Sequence, residues 1–208
     1  MKTKTFILAL LASIIHVVVT SQTPANQAFQ HDKNFVLGYP NFTESERREF
    51  SMIDDPSVLI IQSEELVARA KKIKKEASLT LGEEQKRLIE NADGLLKQAN
   101  TKKLAASELL AYNNRIEFKL LKSSFIDMLD SYDQNDSTVI RAKSLLLTAV
   151  RSYRFATELR EEAYAQRSIA SMLANLHNAE ERESLAIINI VQAMNILEKV
   201  AQQVVAIR

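Results

Sequence analysis

The sequence predicts an all-α protein: an elongated antiparallel four-helix bundle behind an irregular N-terminal arm. Three observations carry that prediction. All three prolines (Pro24, Pro40, Pro56) precede Ser57, and from Ser57 to Arg208 the glycines are Gly82 and Gly94. Ala, Leu, Glu, Lys, Arg and Gln dominate the same stretch, and these residues lose least on entering a helix. Alanines recur there at intervals of seven, the longest series being Ala142, Ala149, Ala156, Ala163 and Ala170.

Residues 1–21 read as a cleaved secretory signal rather than as fold. Lys2 and Lys4 are followed by a run from Phe6 to Val19 that is apolar except for Ser13 and His16. Val19 and Ser21 stand where a signal peptidase requires small residues. The run is shorter than the ~20 residues a membrane-spanning helix needs. The chain is therefore expected to be exported, to a bacterial periplasm or the exterior. It has no cysteine, so the sequence predicts neither a lipoprotein nor a disulfide framework.

Residues 22–55 form the arm. It has no sustained period, yet it holds Phe29, Phe35, Tyr39, Phe42 and Phe50. A bare linker carries few aromatics, so part of the arm is expected to pack on the body.

Start signals divide the body, residues 56–208, into helices at 56–79, 81–132, 137–177 and 179–206. Asp55-Pro56 offers a cap with proline in the first turn. Thr80-Leu81-Gly82-Glu83 has the pattern of a capping box. The polar run Asp133 to Ser137 supplies further caps. Asn178, with Glu180 and Glu181 behind it, places acids where a helix dipole favours them. Short connections make neighbours antiparallel. On these lengths the second and third helices form a long hairpin, and the first and fourth run back along half of it. The expected shape is four helices at one end and a projecting two-helix hairpin at the other.

The alanine series explains the packing. A strict heptad keeps its residues on one seam of supercoiled helices, and small side chains let the axes approach closely. Shorter series fall on the other helices: Ala70 and Ala77, Ala92, Ala99 and Ala106, Ala186 and Ala193.

Residues 170–193 resemble a tetratricopeptide repeat. Ala170, Leu173, Ala174 and His177 match the first helix of such a unit, and Ala186, Ile190 and Ala193 match the second across a turn at 178, with Glu198 where the family often has proline. The resemblance covers some 30 residues. It implies a short α-solenoid as the alternative fold and a protein-binding, non-catalytic role.

Composition narrows the function. The formal net charge is +1, and two of the lysines lie in the leader, so the balance argues against nucleic acid as a partner. His31 and His177 are the histidines left after export, and no H-E-x-x-H or E-x-x-H motif is present, so no metal site or other cofactor is expected. Three glycines cannot build a phosphate loop or a nucleophile elbow. The paired acids Glu161-Glu162 and Glu180-Glu181 read as surface charges. Lys71, Lys72, Lys74 and Lys75 could touch an anionic membrane surface, but a solvated helix face is the weightier reading.

The expected role is thus a non-catalytic exported scaffold or adaptor that binds a protein partner or itself. Its candidate surface lies between residues 116 and 155: Ile116, Phe118, Leu121, Phe125, Ile126, Leu129, Val139, Ile140, Leu147 and Phe155. These apolar residues are too many for a lone two-helix hairpin to bury. The alternative is a ligand-binding or sensor-type bundle, with Tyr112, Asn113 and Asn114 as its internal polar groups.

Overall fold

A computed structural model describes the backbone of residues 42–206 and the side chains of residues 42–200. The signal, most of the arm and the aromatics Phe29, Phe35 and Tyr39 lie outside these residues. The described chain is all-helical, with five helices: α1 Glu44–Ser51, α2 Ser57–Ala77, α3 Glu83–Leu129, α4 Ser137–Ala165 and α5 Ile169–Ala206.

α1 lies within the stretch expected to be irregular. Thr43 caps it with a capping box: the Glu46 amide donates to Thr43 Oγ1, and the Thr43 amide donates to Glu46 Oε2 at 2.8 Å. Phe42, just ahead of the short helix, and Phe50, in its last turn, meet with rings edge-to-face at 5.3 Å. Both are buried with Leu59 of α2 and Ala105, Ala106 and Leu109 of α3.

The cap expected at Thr80 is not made. Its hydroxyl donates to the Glu76 carbonyl and so finishes α2. α3 starts from Gly82, whose φ of 73° suits a residue without Cβ. At the next turn Asp136 behaves as predicted and accepts from the Thr138 and Val139 amides. Those hydrogen bonds hold its carboxyl below the usual range.

The third and fourth helices differ most from expectation. The chain reverses at Gln166-Arg167-Ser168, and α5 then runs unbroken through Asn178 to Ala206. The turn on which the tetratricopeptide resemblance depended is therefore absent from residues 169–206. Asn178 is exposed, and the buried residues Leu176, Ala179, Glu183 and Ala186 continue on either side of it at helical spacing. Continuing that buried stripe outweighs the ~1 kcal/mol that an Asn cap contributes to starting a new helix. At the real turn the stripe fails: Arg167 falls where the next inward residue would be. Ala170, beyond the turn, is exposed, whereas Ala142, Ala149, Ala156 and Ala163 have no exposed surface.

Moving the turn rearranges the molecule. α5 has 38 residues, ~57 Å at 1.5 Å per residue, and reaches the far tip of α3. It packs on both α3 and α4, while α2 packs on the first half of α3. α3, with 47 residues, is the shared spine. One half of it pairs with α2 and carries α1; the other half joins α4 and α5 around a core that includes Phe118, Phe125, Val139, Ile190 and Leu197. The two-helix part is therefore at the α2 end, and the end expected to project as two helices has three.

Candidate functional site

The added helix closes much of the predicted surface. Phe118, Phe125 and Val139 are core residues, and Leu121 and Leu129 are half-buried against them. Phe118 stacks on Tyr153 with ring centroids 4.2 Å apart. Assigning Phe118, Phe125 and Val139 to a docking surface is corrected by the length of α5, which supplies the cover that two helices lacked. Ile116 is half-buried. Ile126, Ile140, Leu147 and Phe155 remain exposed, at 45%, 54%, 58% and 45%. Leu120, Leu185 and Ile188 are exposed as well.

Ile140 and Leu147 lie one heptad apart on α4, so one line of that helix carries both. Phe155 sits on a neighbouring line, beneath the Arg182 guanidinium of α5 at 5.4 Å from the ring centroid. Nearer the tip the same side of the α4–α5 pair opens into a groove of about 420 Å³ between Arg141, Ser144 and Leu145 on α4 and Gln192, Ile196 and Lys199 on α5.

Where α3, α4 and α5 meet, the core turns polar. Arg160 of α4 donates to both carboxylate oxygens of Glu183 on α5, at 2.6 and 3.1 Å. Its Nη1 reaches Ser107 Oγ at 3.3 Å and lies 3.9 Å from Glu108 Oε1, both on α3. Asn114 of α3 donates its side-chain amide to Glu183 at 2.8 Å. All of these side chains are nearly or fully buried.

The cluster holds two carboxylates and one guanidinium, and they share it unequally. Glu183 takes the paired hydrogen bonds, which Arg geometry favours. Glu108 Oε1 is buried with no hydrogen-bond partner among the described residues. Desolvation pushes the Glu108 carboxyl up to about 7, against the pull of Arg160 and with the help of Glu183 and Glu180. Burial, with Glu183 nearby, likewise pushes the Tyr153 phenol up to about 12.

Sequence reasoning found one member of this cluster, Asn114. Tyr112 is also buried, while Asn113 is exposed. Glu183 and Arg160 had a detectable signal. Ala179 extends the alanine series upstream of Ala186, and Glu183 falls inside that stripe; Arg160 falls four residues after Ala156 in the α4 stripe. A charge on an apolar line at helical spacing needs a buried partner.

Of the surface features, Glu161, Glu162 and Glu181 are exposed as expected, and Glu180 is half-buried. His177 is exposed in mid-helix, 3.6 Å from Glu181. Lys71, Lys72, Lys74 and Lys75 are exposed, and Lys74 pairs with Asp93 of α3 at 2.8 Å. No helix among the described residues is long and apolar enough to cross a membrane.

Comparison of the chain with protein-family models, with curated proteins and with solved structures returns no match.

Proposed function

We propose that the protein is an exported, non-catalytic helical scaffold that binds other proteins through its helix faces at the cell envelope. The observation that supports this best is the pair Ile140 and Leu147. Each keeps over half of its surface in water, one heptad apart on a helix anchored by its buried alanine seam. A rigid helix that presents apolar side chains at that spacing suits recognition by another helix. The alternative, a ligand-holding or sensor-type bundle, draws less support. Its best polar candidate, Asn114, has its amide engaged by Glu183, and the groove at Arg141 is open rather than enclosed.

Site-specific photo-cross-linking in the producing cell tests the reading. A cross-linker at Ile140 or Leu147 should capture a discrete protein, and one at Ser168, an exposed turn residue, should not. Equal capture at all three positions, or none at the apolar pair, refutes the scaffold. N-terminal sequencing of the mature chain tests export, with Gln22 as the expected first residue.

A further inference from the structure

The two-helix half of the spine, α2 on α3, carries a pair of apolar lines on one side. On α2, Leu59, Leu66 and Ile73 follow at seven-residue spacing; on α3, Leu88, Leu95, Lys102 and Leu109 do the same. Residues so spaced share one line of a supercoiled helix. Both lines border one groove, because α1 touches each. Phe42 and Phe50 are buried with Leu59 and Leu109. Lys102 lies over the Phe50 ring at 5.7 Å and pairs with Glu49 at 3.1 Å. α1 covers that end of the groove. Beyond it, toward the α2–α3 turn, Leu66, Ile73, Leu88 and Leu95 are only half-buried. The opposite flank of the pair is less apolar: one heptad after Val67 and Leu96 come the exposed Lys74 and Lys103.

Phe42 is thus an anchor seated at the covered end, and the residues NFVLGYPN, 34–41, run directly into it. Pro40 disfavours helix for itself and for Tyr39 before it. In an extended chain Phe35, Leu37 and Tyr39 share one side, at a period of two.

We propose that residues 35–41 lie extended in this groove, with Phe35, Leu37 and Tyr39 against the two apolar lines. The reach matches. Leu59 to Ile73 is two heptads, ~21 Å at 1.5 Å per residue, and an extended chain from Phe35 to Phe42 spans ~23 Å at ~3.3 Å per residue. Direction follows from the lines themselves. Away from the turn the α3 line turns polar after Ile116, at the exposed Ser123, and α2, which starts at Ser57, offers no second line there. Charge does not drive the contact. The rim holds Gln62, Arg69 and Glu76 on α2 and Glu84, Asn91 and Gln98 on α3, whereas residues 34–41 carry no charge. The three rim amides can meet the N–H and C=O groups that a lone extended strand leaves unpaired. The arm then gives the thinner half of the spine a third packed element and takes its apolar groove out of water.

Introduced cysteines test this in the purified protein, which has none of its own. Leu95 and Leu96 are sequence neighbours on opposite flanks of the α2–α3 seam. On mild oxidation of dilute protein, L37C/L95C should form a disulfide within one molecule, and L37C/L96C should not. Peptide mapping by mass spectrometry reads both. A second measurement follows L95C alone: adding F35S and L37S should speed its alkylation by about tenfold or more as the groove opens, and should leave that of L96C unchanged. Circular dichroism should match the parent, since the altered helix positions are half-buried rather than core. Equal bonding at 95 and 96, no bond at 95, or an alkylation rate indifferent to F35S and L37S overturns the proposal. So does a 37–95 bond that joins two molecules, which would give the groove to the arm of a second copy.

Discussion

Arg160 on α4 and Glu183 on α5 form a two-pronged ion pair, 2.6 and 3.1 Å, in a setting where both side chains are almost dry. It ties the hairpin across its own seam, and through Ser107 and Asn114 it ties the hairpin to α3. A buried pair of this kind adds little net stability over apolar residues, but breaking one side leaves a charge without compensation.

Arg160→Met is therefore expected to cost about 3–5 kcal/mol, because Glu183 and Glu108 are then left facing each other. Arg160→Met with Glu183→Met should recover a large part of that loss. Urea unfolding of the parent, the single and the double variant measures both. A double variant no more stable than the single one would contradict this account of the cluster.

Glu108 gives the cluster a pH dependence whose sign follows from its surroundings. Its carboxyl titrates at about 7 in the fold, against 4.5 ordinarily. Between those values the folded chain holds a proton that the unfolded chain releases. This group's stabilisation is therefore complete below about pH 4.5, declines as pH rises through about 7, and is flat above. The decline is at most about 3 kcal/mol. Glu108→Gln should remove it and make the protein more stable than the parent at pH 8. Denaturant midpoints at pH 5 and pH 8 check both statements.

The alanine seam predicts a contrast within a single heptad series. Ala156→Leu and Ala163→Leu force bulk between touching helices and should each cost about 1–3 kcal/mol. Ala170→Leu, at the same sequence interval but exposed beyond the turn, should be nearly neutral. Ser168→Leu is the matching control at the turn. Thermal melts of the four variants decide the point, and equal shifts at 163 and 170 would displace the turn from 166–168.

Docking of α1 on the spine is a matter of burial more than charge. Phe50→Ala should cost about 3 kcal/mol or more through the cavity it leaves, since its side chain is almost fully enclosed. Glu49→Ala removes an ion pair to Lys102 that is largely solvated on the Glu49 side and should cost under about 1 kcal/mol. Protease sensitivity around residues 52–56 gives a second readout: it should rise in the first variant and stay unchanged in the second.

What the sequence determined by itself was local. Helical content, the breaks near 78–82 and 130–136, and the inward line of alanines all follow from propensity, caps and a seven-residue period, which act within a few turns of chain. Asp136 capped as its chemistry required, and four of the five alanines in the long series turned inward. The tertiary structure decided what depends on distant partners. Asn178 and Ser168 are both credible helix starts in isolation. The choice between them depended on which placement let Leu176, Ala179, Glu183 and Ala186 stay in contact with α3 and α4. That choice set the length of α5, and the length decided whether Phe118, Phe125 and Val139 would be surface or core. Glu108 looks like any solvated helix charge when read in order, and the alanine lines on which Arg160 and Glu183 fall signal only that each needs a partner, not which one. The three become a buried cluster because three helices bring them to one level, and the cost of desolvating a charge is fixed by what surrounds it in space.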